Sequence, residues 1–203
     1  MAISVKTKIY SYQEYHQLVL DCSELGKTTG TEQTIERIEA TKLNATRMNR
    51  IYKLTQINDE LKNTVSKLSK IKWNWLIISE TWCGDSAQNL PIIAKIAELN
   101  ANISLQIILR DENSEIMDKY TTQGSRSIPK LICFDELKGK VVADWGPRPA
   151  AITKRVNEFK KANPNINHAD FVKELHHWYA QDKGVSIQSD FCQFISDIIT
   201  AKD

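Results

Sequence analysis

An apolar run from Trp73 to Ser79 leads through Glu80 and Thr81 into Trp82-Cys83-Gly84-Asp85-Ser86, and helical spacing resumes at Ala87. A short run without sustained polar alternation reads as a buried central strand, and Leu90, Ile93, Ala94 and Ala97 share one face of the helix that follows. Between the two lies a turn carrying one cysteine. The amides and macrodipole of a helix N-terminus favour negative charge, which draws a thiol from a free pKa of about 8.5 toward roughly 3.5 to 7.5. Three residues on, where a dithiol motif carries its second cysteine, stands Ser86.

On either side of this turn the periodicity predicts helix over Tyr10 to Leu25, a break at Gly26 to Gly30, and a long helical stretch from Thr31 divided near Asn58-Asp59. Ile35, Ile38, Ala45, Met48, Tyr52, Ile57, Leu61, Val65 and Leu68 form its packed face. Pro91 should kink the central helix. Strands are expected at Ile103 to Leu109, Leu131 to Phe134 and Val141 to Trp145, with a short helix over Asn113 to Tyr120. A helix between the first two strands implies a parallel crossover, and the Lys138-Gly139 turn implies a closing antiparallel hairpin. Ala150 to Lys161 is helical. Two more helices follow Asn163-Pro164-Asn165, one striped by Phe171, Leu175 and Trp178, the other by Phe191, Phe194, Ile195 and Ile198.

A chain of 203 residues, 41% apolar and 26% charged, is large enough to bury a core without staples. Its four cysteines, Cys22, Cys83, Cys133 and Cys192, are scattered, with no spacing suited to a disulfide framework or a zinc site, so a reducing compartment is the natural setting. Residues Met1 to Lys8 lack the apolar core of a leader, and no run approaches the ~18 apolar residues of a membrane span. A cytoplasmic location is expected. A formal charge of +2 gives no reason to expect nucleic acid, and the Arg47, Arg50 and Lys53 cluster reads as a solvated helix face. The oligomeric state stays open.

The motifs resemble those of the thioredoxin family. Trp82-Cys83-Gly84-Asp85-Ser86 is similar to its W-C-G-P-C, and Pro91 matches its proline eight residues after the nucleophile. Gly124-Ser125-Arg126-Ser127-Ile128-Pro129 is similar to its G-I-R-G-I-P, which ends in a cis-proline facing the active cysteine, and Gly146 matches the glycine after its last strand. The resemblance implies an α/β, thioredoxin-like β-α-β-α-β-β-α core over residues 71–161. A helical N-terminal extension (1–70) packs on this core, a C-terminal helical extension (162–203) follows, and the whole makes one globular unit. Decorated thioredoxin-like proteins of bacteria are similar in this respect.

Departures from the family pattern govern the expected chemistry. Ser86 cannot resolve a mixed disulfide, so an external thiol must. The family's buried acid, six residues before the nucleophile, is replaced by Ile77. Asp85 stands where the motif has proline, and a carboxylate roughly 6 Å from the sulfur opposes the thiolate by about 0.7 to 2.8 kcal/mol at effective dielectrics of 80 to 20. The helix N-terminus and a hydrogen bond from Ser86 act the other way. The balance predicts a pKa near or modestly below that of a free thiol for Cys83, read as a solvent-accessible nucleophile or as a relic on a fold now used for packing or binding; whether the terminal helices cover or expose it stays open. Cys83, Ser86 and Asp85 are the candidate catalytic residues. Trp82, Gly84, Ile128 and Pro129 form the candidate substrate platform, where a peptide adds as a strand beside the cis-proline.

Other reactive side chains read more blandly. Cys133 is a buried small hydrophobe, and Cys192 packs in the core, with a remote resolving thiol as its alternative. His176 and His177 are adjacent and point apart, which argues against a metal site, while His16 and His168 are isolated. Pro147 and Pro149 end a strand and start a helix, and Arg148 is a candidate for binding a carboxylate such as that of glutathione. Three functions are compatible with these residues. The first is monothiol exchange through Cys83 with a disulfide-containing or thiol-modified protein, or a low-molecular-weight thiol, needing no cofactor. The second is a non-catalytic scaffold on the same fold. The third is glutaredoxin-like [2Fe-2S] binding, since Cys83-Gly84-Asp85-Ser86 resembles C-G-F-S, although the Gly-Gly pair of those proteins is missing.

Overall fold

Local capping decides where the helices begin. In the computed structural model, which describes residues 5–201, Ser11 caps α1 (Tyr12–Glu24) and exchanges hydrogen bonds with Glu14 in a capping box. Thr34 caps α2 (Ile35–Leu54) and Asn58 caps α3 (Asp59–Ser66), each accepting from an amide three residues on. Helix therefore starts later than Tyr10 and Thr31. Tyr10 instead bridges Ile107 through two 2.8 Å main-chain hydrogen bonds. Met1 to Ser4, half of the stretch read for a leader, lie outside the described residues.

The core follows as β1 (Trp73–Ser79), α4 (Gly84–Ala97), β2 (Ile103–Leu109), α5 (Ser114–Met117), β3 (Lys130–Asp135), β4 (Lys140–Trp145) and α6 (Ala150–Ala162). The sheet order is β2-β1-β3-β4, with β1 parallel to β2 and antiparallel to β3, and β3 and β4 forming an antiparallel hairpin. Two helices close the chain: α7 (His168–Asp182), capped by Asn167, and α8 (Val185–Thr200). This is an α/β thioredoxin-like fold with helical extensions. Among the described residues no helix is long and apolar enough to cross a membrane.

Alternation along β1 sends Trp75 and Ile77 to one face, where they meet Leu90, Ile93, Ile107, Leu131 and Phe191, and sends Leu76 and Ile78 to the other, with Ile108, Met117, Ile128, Ile132 and Cys83. The first layer takes in residues of α1, α2, α3, α4 and α8. Phe191 of α8 lies with its ring 5.3 Å from both Trp75 and Trp145, so this terminal helix is part of the main core. A third cluster joins α6 to α7 through Ile152, Val156, Phe171, Leu175 and Trp178. Ile35, expected on the packed face of α2, is 80% exposed. The buried face is instead Thr41, Asn44, Ala45 and Met48, because α2 is turned so that polar residues meet the end of β1. Pro91 sits within a helix that runs unbroken from Gly84 to Ala97.

Candidate functional site

Cys83 is the N-cap of α4, an extended residue directly before Gly84, and its sulfur accepts from the Ser86 amide at 3.4 Å. The thiol in turn lies 3.3 Å from the Ile128 carbonyl oxygen, to which it donates. A donor to a carbonyl is held as S–H, since the thiolate would face a lone pair there. Only 7% of the residue is exposed. Burial pushes the Cys83 pKa up to about 11, with the Asp85 charge adding to the rise and the Ser86 hydroxyl and the amides of Ser86 and Asp85 opposing it. The expected pKa near or below the free value is thus not met, and Cys83, whose exposure the sequence left open, is buried. The N-terminal amides are in place, but desolvation exceeds what they supply.

The two residues that follow Cys83 are tied to distant segments. Asp85 receives Arg148 Nε at 3.0 Å and Nη2 at 2.6 Å on its two oxygens, and the Tyr179 hydroxyl donates to it at 2.8 Å. Burial pushes the Asp85 carboxyl up, against the downward pull of Arg148 and Tyr179. Asn89 donates from one amide to the Asp85 carbonyl (2.9 Å) and to Tyr179 (3.1 Å). One helical turn earlier on α7, the His176 ring lies against Gly84 so closely that a Cβ there would sit 2.8 Å from its Cε1 and Nε2. Gln88 Nε2 stands 3.1 Å from His176 Nδ1, so the ring accepts there and carries its proton on Nε2. Burial lowers the His176 pKa to about 4, helped by the Arg47 charge. Arg148, a candidate carboxylate receptor, already holds the carboxylate of Asp85.

Trp82 shares the apolar cluster of Cys83 and Ile128, as a platform residue should. Two guanidinium groups however lie over its ring, Arg37 of α2 at 4.4 Å and Arg110 after β2 at 4.9 Å. The Ile128–Pro129 peptide is cis, as is Gly146–Pro147. Gly146, at φ +121°, lies against the Pro129 carbonyl so tightly that any Cβ would collide with it. The Ser86 hydroxyl is buried and makes no hydrogen bond of ordinary geometry.

The acid position expected from the motif holds Ile77, whereas the acid that the fold does bury is Glu80, three residues before Cys83, which the motif does not mark. Thr29 donates its hydroxyl to one Glu80 oxygen and the Asp111 amide donates to the other at 2.9 Å. Burial pushes the Glu80 pKa up despite these bonds. An acid closing an apolar strand was the available signal. Thr28, Thr41 and Thr81 interlink their hydroxyls beside it, and Asn44 donates to the Thr81 carbonyl at 2.9 Å. The other cysteines lie apart from this constellation. All four are free. Cys133 is fully buried in β3 with its pKa pushed up to about 12 by desolvation, and Cys192 is half-buried beside Thr64 and Glu60 of α3, away from the turn a resolving thiol would have to reach. A cleft of about 380 Å³ opens between α2, α4 and the α7–α8 turn. It shares Gln88, Asn89 and Tyr179 with the cover over Gly84 and Asp85, but not Cys83.

Fold and site together define a thioredoxin-like α/β protein with one cysteine at the strand-to-helix turn. A family model described as thioredoxin matches residues 30–169, more than half of the sequence, and the chain belongs to that family. The match begins in the loop before α2, so α2 and α3 fall within it as well as the β-α core. No curated protein matches. Among solved structures, the chain is similar to an HIV epitope scaffold at 16% identity and a TM-score of 0.55, over 96% of this chain and all of that one. It is also similar to a protein of unknown function from Pseudomonas aeruginosa at 18% identity and a TM-score of 0.53, over 92% of this chain and 98% of that one. At these identities the likeness is one of fold.

Proposed function

We propose that the protein is a monothiol exchanger of a reducing compartment, in which Cys83 forms mixed disulfides that an external thiol resolves. The observation that carries this reading is the placement of the Cys83 sulfur, which receives the Ser86 amide at the start of α4 and faces the Ile128–Pro129 segment. Cys83 loses its proton to solvent, and the thiolate attacks one sulfur of R–S–S–R′. Cys83–S–S–R forms and R′–S⁻ leaves and takes up a proton. Ser86 has no thiol with which to expel R. A second, external thiolate attacks the R sulfur, forms a new disulfide with it and returns Cys83 as a thiol. The unpartnered Ser86 hydroxyl is positioned to stabilise the Cys83 thiolate both before attack and after release. Trp82, Gly84, Ile128 and Pro129 form the platform for an extended substrate once the side chains now lying on them move aside, since Ile128 and Pro129 are buried and His176 lies over Gly84, and Asp85 tunes the sulfur through its charge.

Cys83→Ser tests this reading. Turnover of a glutathionylated peptide in the presence of excess thiol should vanish in the variant, and unchanged turnover would exclude Cys83 as the nucleophile. The burial of Cys83 and its pKa of about 11 favour a second reading, a scaffold that retains the fold without redox use. That reading predicts a partner that co-purifies in the presence of reductant and is retained by the Cys83→Ser protein.

A further inference from the structure

Three stretches of the chain meet on the two residues that follow Cys83, and their meeting has the geometry of a closure. Gly146 is pressed against the Pro129 carbonyl, on the side of the groove where the Cys83 thiol meets Ile128. Two residues later Arg148 reaches Asp85, two residues past Cys83 on α4. The Arg148 side chain thus crosses from the Pro129 side of the groove to the helix side, near enough for its charge and the Cys83 sulfur to act on each other. From α7, Tyr179 fastens the same carboxylate and His176 lies over Gly84. The Asp85 carboxylate is therefore where the β4–α6 turn, the first turn of α4 and the C-terminal α7 are tied together.

We propose that Asp85, Arg148 and Tyr179 form a gate over Cys83, closed in the resting protein and opened when Arg148 and Tyr179 let go of Asp85. This gives α7, outside the β-α core, a direct part in the chemistry: it governs access to the sulfur. The proposal rests on Cys83 as the reacting thiol. It also gives a cysteine buried at an N-cap a way to meet a substrate. Opening exchanges a bidentate charged contact and one hydroxyl bond for water, so the open form is a minor population set by those bonds.

The test is the rate at which iodoacetamide modifies Cys83 in the full chain at fixed pH, resolved peptide by peptide, with Cys133 as the reference for unfolding. Arg148→Lys keeps the positive charge but loses the two-pronged contact, and Tyr179→Phe removes one hydroxyl without changing charge. Neither shifts the thiol chiefly through electrostatics. A gate predicts about tenfold faster Cys83 labelling in Arg148→Lys and several-fold in Tyr179→Phe, while Cys133 stays protected. Unchanged or slower Cys83 labelling with Cys133 protected would overturn it. So would Cys133 labelling in step with Cys83, which would mean that these residues hold the whole fold. If Arg148→Lys does not fold, the milder Tyr179→Phe decides. Alkylation reads access and not exchange. A Cys83 that opens on these substitutions yet never turns over a disulfide would sink monothiol exchange and leave the gate standing.

Discussion

Cys83 sits at a helix N-terminus, yet its thiol titrates high, because removal from water acts on the whole charge while the helix supplies a partial one. With a pKa of about 11, roughly one molecule in ten thousand is a thiolate at pH 7. Alkylation of Cys83 should therefore rise close to tenfold per pH unit from pH 7 to 10, without a plateau in that range. A plateau near pH 8 would mean an ordinary thiol. The position of Cys83 was legible from its place between an apolar run and a helical stripe. The ties that fasten the turn were not, because Arg148, His176 and Tyr179 lie 65 or more residues along the chain, and no periodicity links them to it. Arg148 was visible as a carboxylate binder, but the identity of its carboxylate was not, since that depends on how α7 and the cis-Pro147 turn fold back.

Among the elements, the end of β1 is held to the N-terminal helices by a buried polar network with Glu80 at its centre. The Asp111 amide and the Thr29 hydroxyl both end on its carboxyl. Because burial raises the Glu80 pKa above its ordinary 4.5, the folded state prefers the protonated acid. Its contribution to stability is then fully present below about 4.5 and is lost as pH rises through the folded value. Glu80→Gln is neutral throughout and escapes this loss. Relative to the variant, the wild type should become less stable in urea unfolding as pH rises above about 4.5, by about 1.4 kcal/mol for each unit by which the folded pKa exceeds the unfolded one. A flat or opposite trend would show that Glu80 is not held in this way. The helices and strands themselves were largely readable. Strand ends fell within a residue of their positions, whereas helix starts were set by Ser11, Thr34 and Asn58 caps rather than by the apolar stripes. Ile35 misled because it opens α2, where an apolar residue fits the spacing whichever way the helix is rolled.

Across the whole molecule, the division into core and extensions is one of sequence more than of packing. Phe191 of α8 meets Trp75 and Trp145 in the main core, while α7 is tied to the turn bearing the thiol. The last forty residues thus bear on both the fold and the sulfur. They carry no motif, so the four thioredoxin-like motifs made the architecture readable and left the role of these helices to the three-dimensional structure. The central claim concerns a full cycle of the intact chain, and the most direct test is intact mass measurement of the protein after incubation with oxidised glutathione, followed by mapping of the adduct. Monothiol exchange requires a single glutathione on Cys83 that persists until external thiol is added, and none in Cys83→Ser. An adduct on Cys22 or Cys192 with Cys83 unmodified, or no adduct after prolonged incubation at high pH, would contradict it.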